Sequence, residues 1–113
     1  MTHTAYLAEE GGFLKDDAPS RIYEIAAKKG VEYFILPGNR EEAMKRYHLL
    51  ISGMINEPKY CMPGIGTQGG SVTKAFSILR GCPAYAIVGS AIYKSRDMRN
   101  AAQKFAREAM EFE

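Results

Sequence analysis

A chain of 113 residues with 46% hydrophobic and 25% charged side chains has the make-up of one ordinary globular domain, which excludes a disordered or fibrous protein. Its 15 basic and 13 acidic residues, net +2, are spread along the sequence without a basic block, so neither nucleic acid nor a membrane surface is an expected partner. Two cysteines, Cys61 and Cys82, are too few for a disulfide framework and lack metal-ligand spacing. No apolar run approaches the ~20 residues of a membrane span, and Met1-Thr-His-Thr has no signal pattern, so the expected location is the cytoplasm, with no metal.

Only Met1 to Thr4 could be the tail of a strand before the first helix, so the chain is expected to begin at an internal boundary of a larger fold. Asp17-Ala-Pro-Ser-Arg opens a helix with a capping aspartate and a first-turn proline; Ile22, Ile25 and Ala26 are expected on its buried face, and Gly30 stops it. Val31 to Leu36 is short, β-branched and aromatic, and closed by Pro37-Gly38: a buried strand. A second helix begins at Asn39, carries Ala43, Met44, Tyr47, Leu50 and Ile51 at helical spacing, and ends at Gly53. Lys59 to Met62 reads as the next strand, followed by a glycine-rich loop from Pro63 to Gly70 and a helix from about Ser71 to Arg80, with Ser71 and Thr73 as helix-start residues. Ala84 to Val88 is the third strand. The last helix starts near Ser95 or Asp97 and is expected to bury Met98, Ala101, Ala102, Phe105, Ala109 and Phe112.

Strands that alternate with helices imply a parallel sheet. A doubly wound sheet usually places its glycine-rich phosphate loop after the first strand, whereas a barrel places phosphate loops after its last two strands. Here such segments come late, which favours a barrel. A whole (β/α)8 barrel needs about 250 residues, so residues 1–113 are expected to form a single domain that is only part of one.

Two segments could carry chemistry. Met62-Pro-Gly-Ile-Gly-Thr-Gln-Gly-Gly70 is a strand-end turn whose glycines Gly64, Gly66, Gly69 and Gly70 let backbone N–H groups approach an anion, with a helix start behind it. As a glycine-rich turn alone it suits a structural role as well as a binding one. Ala84-Tyr-Ala-Ile-Val-Gly-Ser-Ala-Ile-Tyr93 is a strand that breaks at Gly89, where the amides of Gly89 and Ser90 could hold the other side of the same phosphate; alone it reads as an ordinary strand and turn. Together, and in this order, Pro63-Gly-Ile-Gly-Thr-Gln-Gly and Ala-Ile-Val-Gly-Ser-Ala-Ile-Tyr resemble the closing loops of orotidine 5′-monophosphate decarboxylases. Met1-Thr-His resembles the Met-Ser-His that ends the fifth barrel strand in archaeal-type members, and Leu36-Pro-Gly-Asn falls where the sixth strand ends.

The resemblance implies an α/β fold: the carboxy-terminal half of a (β/α)8 TIM barrel, strands 6–8 with flanking helices. It implies that Thr2 bonds the pyrimidine ring, that Pro63 lines the base pocket, and that Gln68 reaches between phosphate and base. The amides of Gly89 and Ser90 then hold the phosphate, with Gly64, Gly66, Gly69 and Gly70 shaping the loop. The implied ligands are orotidine 5′-monophosphate and UMP, and the implied reaction is cofactor-free decarboxylation of the first to the second in pyrimidine biosynthesis.

Two departures bear on this. The family's usual Val-Gly-Arg-Ser-Ile-Tyr reads Val-Gly-Ser-Ala-Ile-Tyr here, so Ser90 stands where an arginine pairs with the phosphate; a hydroxyl there is expected to weaken phosphate binding by about 1.5–3 kcal/mol. The Asp-x-Lys-x-x-Asp array that protonates the product carbon is absent. Lys15-Asp16-Asp17 sits at a helix start and is read as structural, and His3 and His48 form neither a metal site nor a catalytic pair. Tyr93 is expected to pack beneath the phosphate loop. With no catalytic residue of its own, the chain is expected to be inactive alone and to need either a second copy or a separate amino-terminal half. The alternative functions are a non-catalytic nucleotide- or phosphate-binding half-barrel that self-associates, and another phosphate-handling barrel such as a sugar-phosphate lyase or synthase.

Overall fold

The computed structural model describes residues 7–112; Thr2 and His3, singled out in the sequence, lie outside them. After a short 3-10 turn at Ala8–Glu10 the elements run α1 (Ala18–Lys28), β1 (Tyr33–Ile35), α2 (Glu41–Ser52), β2 (Lys59–Met62), α3 (Val72–Ile78), β3 (Ala84–Ala86), α4 (Ser90–Tyr93) and α5 (Met98–Met110). The three strands lie in chain order and are parallel throughout, with Phe34 opposite Tyr60 and Tyr60 opposite Ala84.

The alternation of side chains along a strand decides where the core forms. Phe34, Leu36, Tyr60 and Met62 share one face of the sheet and are buried with Met44, Tyr47 and Ile51 of α2, Val72 and Ala75 of α3, and Ile65 and Leu79 beside them. Each such side chain contributes roughly 1.5–3 kcal/mol by leaving water. The helices pack in sequence against one another, α1 on α2, α2 on α3 and α3 on α5. Among the described residues they cover this face alone: on the other, Tyr33, Ile35, Tyr85 and Ile87 are each close to half exposed. A doubly wound sheet has helices on both faces and a reversal of strand order. A singly wound sheet with one helical layer and one apolar open face is a sector of a (β/α)8 barrel, whose open face would be the barrel interior.

Several expectations are corrected by the packing. On α1, Ile22 and Ile25 are exposed, Ile25 at 61%, while Tyr23, Ala26 and Ala27 pack on the core. The reason is position: among the described residues α1 ends the helical layer, with α2 packed on one side. Asp17 makes no side-chain cap; its carboxylate bonds Arg21 Nε at 2.7 Å, one turn on. The adjacent Asp16 accepts from the Glu9 amide at 2.9 Å, so this acidic cluster holds the chain entering α1 in place. α2 starts at Glu41 rather than Asn39. α5 starts behind Asp97, whose side chain accepts from the Asn100 amide at 2.9 Å. Phe105 and Ala109 pack on the core and Phe112 meets Phe76 edge-on, but Met98, in the first turn, is 56% exposed.

Candidate functional site

The carboxyl ends of the three strands bring the two glycine-bearing segments to one end of the sheet. The Gly38 amide donates to the Pro63 carbonyl at 2.9 Å, and the Ile87 amide donates to the Met62 carbonyl at 2.9 Å, which continues the sheet beyond β3. The Pro63–Gly70 loop then folds on itself: Gly66 N–H donates to the Gly70 carbonyl, Gly69 N–H to the Gly66 carbonyl and Gly70 N–H to the Gly64 carbonyl, each at 2.9–3.0 Å. Three of its glycine amides are thus engaged within the loop.

Gly66 shows why glycine stands there. Its φ is +87°, and an added Cβ would lie 2.6 Å from the Ala91 Cβ in α4 and 3.4 Å from the Phe105 ring. Gly70 is held as closely, since a Cβ would meet the Gly64 carbonyl oxygen at 2.5 Å and that of Gly38 at 2.7 Å. These approaches pack the ends of β1, β2 and β3 into one cluster. Gly69, by contrast, faces open space, and Gln68 beside it is exposed at the rim.

The loop after β3 turns at Gly89 into α4, a four-residue helix. The amides of Ser90 and Ala91 have no acceptor inside the helix, whereas those of Ile92 and Tyr93 donate to the Gly89 carbonyl, and a short extra helix behind the loops after strands 7 and 8 is a recurrent phosphate cradle of barrels. The Ser90 hydroxyl does not point away from its neighbours: it donates to Thr67 Oγ1 at 2.9 Å and joins the two loops. Thr67 carried no sequence signal of its own. A second residue missed by sequence is Asn39, whose Oδ1 is buried without a hydrogen-bond partner and lies 2.9 Å from where a Gly64 Cβ would be. The sequence marked it only as the start of the second helix, whereas α2 begins at Glu41 and leaves Asn39 in the turn after Pro37-Gly38. Tyr93 is 64% exposed, and only its ring edge approaches the loop, 3.8 Å from where a Gly89 Cβ would be, so it lies beside the turn and is not buried beneath it.

Between Pro63 and Gly70, and at Gly89 and Ser90, no side chain titrates. His48 lies elsewhere, bonded through Nδ1 to the Tyr60 hydroxyl at 2.9 Å, and burial holds its pKa below the ordinary histidine value. Among the described residues no group of three or more His, Cys, Asp or Glu could hold a metal, and no helix is long and apolar enough to cross a membrane. A cleft of about 1150 Å³ lies not at the loop cluster but against the outer edge of β1, lined by α1, α2 and the 3-10 turn.

No family model matches the sequence. Individual relatives do. The chain is 36% identical over 87 residues to orotidine 5′-phosphate decarboxylase of Methanosarcina barkeri, and 38% identical over 78 residues to that of Pyrococcus furiosus. These matches take in 77% and 69% of this chain. Among solved structures, orotidine 5′-monophosphate decarboxylase of Methanocaldococcus jannaschii, complexed with the inhibitor BMP, superposes with a TM-score of 0.72 and 26% identity over 96% of this chain. Over most of its length the chain belongs to the orotidine 5′-phosphate decarboxylase family. It spans only part of the family's barrel: 37% of the Methanosarcina relative and 47% of the Methanocaldococcus chain. The decarboxylase of Pyrococcus horikoshii gives the same picture, with a TM-score of 0.66 and 31% identity over 80% of this chain and 41% of its own. The open sheet face fits this partial coverage.

Proposed function

We propose that this chain is the carboxy-terminal half of an orotidine 5′-monophosphate decarboxylase and supplies its phosphate- and base-contacting loops in the cytoplasm. The observation that carries the reading is the loop cluster: the Pro63–Gly70 loop and the Gly89–Ser90 turn meet at one end of the sheet, tied by the Ser90–Thr67 hydroxyl pair. Phosphate is held by the amides that begin α4 at Gly89 and Ser90, since those of Gly66, Gly69 and Gly70 are occupied in shaping the loop. Gln68 bridges phosphate and base from the rim, Pro63 lines the base pocket, and Thr2 bonds the pyrimidine.

Remote phosphate binding lowers the barrier only where a group elsewhere protonates the carbon that loses carbon dioxide. This cluster has no such group, so the Asp-x-Lys-x-x-Asp array comes from a complementary amino-terminal half, and the chain alone turns over no substrate. The absence of any titrating side chain from the cluster also favours a second reading, a nucleotide-binding half-barrel without catalysis.

Titration of the chain with UMP and with uridine, followed by amide chemical shifts, tests the binding role. Shifts at Gly89, Ser90 and Gln68 that need the phosphate are expected. Equal response to uridine, or shifts confined to the β1 cleft, would contradict it.

A further inference from the structure

The junction between the two loops offers hydrogen-bond donors and no positive charge. From Pro63 to Gly70 and from Ala84 to Tyr93 there is neither lysine nor arginine. The amides of Thr67, Gln68, Gly89 and Ser90 donate to no backbone carbonyl among the described residues, in contrast to those of Gly66, Gly69 and Gly70. Thr67 is exposed and Ser90 partly so, which leaves the junction open to a ligand.

A hydroxyl carries one hydrogen and two lone pairs. Ser90 Oγ gives its hydrogen to Thr67 Oγ1 at 2.9 Å, so Thr67 is the acceptor of this pair. Its own hydrogen has no acceptor among the described residues. A hydroxyl that accepts one hydrogen bond donates the next more strongly, because each bond in such a chain polarises its neighbour. The pair therefore ends in one activated O–H, carried by the residue whose backbone amide is also free.

From this we infer that the Thr67 hydroxyl is a ligand-contacting donor: it bonds an oxygen of a phosphate monoester at the loop junction, and the Ser90 side chain positions it. The inference rests on the reading of the two loops as a phosphate site and adds a side-chain contact to it. It also gives the departure at position 90 a chemical sense. Where an arginine would bring a charge, a relay of two hydroxyls brings a neutral donor of fixed direction.

Isothermal titration of the chain with UMP and with uridine tests the inference. Thr67→Val keeps the shape of the side chain and removes the hydroxyl; it should lower UMP affinity about 10-fold, the loss of one hydrogen bond to a charged acceptor, and leave uridine binding unchanged. Ser90→Ala removes the polarising bond but leaves Thr67 its hydrogen, so it should lower UMP affinity only about 2–3-fold. Thr67→Ser restores the donor and should bind as the parent does. Unchanged UMP affinity in Thr67→Val overturns the inference. So do equal losses in Thr67→Val and Ser90→Ala, the result of a mere tie between the loops, and a loss shared with uridine. Each of these leaves the phosphate site standing. A parent chain that binds UMP no better than uridine overturns the inference together with the function proposed for the loops.

Discussion

Gly66→Ala tests whether the two loops are held together by close approach. The new methyl enters at φ +87°, a conformation that costs an L-residue roughly 1–2 kcal/mol. It also lands 2.6 Å from the Ala91 Cβ, where neither atom sits at the end of a flexible side chain. Relief requires the Pro63–Gly70 loop and α4 to move apart, which adds an overpacking cost of about 1–3 kcal/mol. The sum is about 2–5 kcal/mol. Gly69→Ala is the matched control: φ is +92°, but its Cβ meets nothing within 4 Å, so the conformational cost alone applies. Urea unfolding of both variants and of the parent gives the difference. Separation of the loops also breaks the 2.9 Å Ser90–Thr67 bond, so Gly66→Ala should lose affinity for UMP beyond its loss of stability. Equal destabilisation by the two substitutions, with UMP affinity untouched in both, would refute the reasoning.

Ser90→Arg places a guanidinium where the phosphate is proposed to sit; isothermal titration should show UMP binding strengthened by about 10–100-fold, with uridine unchanged. Met44→Ala removes a fully buried side chain between α2 and the sheet and should cost about 2–5 kcal/mol in urea unfolding. His48 has a lowered pKa because burial disfavours its cation, so its contribution to stability is complete above the unfolded value of 6.5 and declines as pH falls from there toward the folded value. His48→Gln should remove this dependence from the pH profile of the melting temperature. The remaining acid loss should begin near pH 4.5, where Glu32 and Glu41, held low by their lysine partners Lys59 and Lys74, protonate in the unfolded chain.

What could be read in the sequence followed physical locality. The strand Lys59–Met62 is bounded by Pro58 and Pro63, and its observed limits match the expected ones. The stripe Met44, Tyr47 and Ile51 is buried as its spacing implies, since α2 has neighbours on both sides. The same reasoning failed for Ile22 and Ile25: periodicity identifies an apolar face but not whether anything covers it. α4 was missed because four residues are too few to show a period, and Tyr93 was misplaced with it. At the site, the glycines announced a tight turn, yet the amide bonds inside the loop and the Ser90–Thr67 pair depend on where β2 and β3 end relative to each other. That register is a tertiary property.

The most direct test of the account is a decarboxylation assay on orotidine 5′-monophosphate, run with the chain alone and with the chain mixed with an amino-terminal half carrying the Asp-x-Lys-x-x-Asp array. The account predicts silence from the chain alone and turnover in the mixture. Turnover by the chain alone would contradict it by showing that a residue within it protonates the product, and silence in both would reduce the loop cluster to a binding site without a reaction.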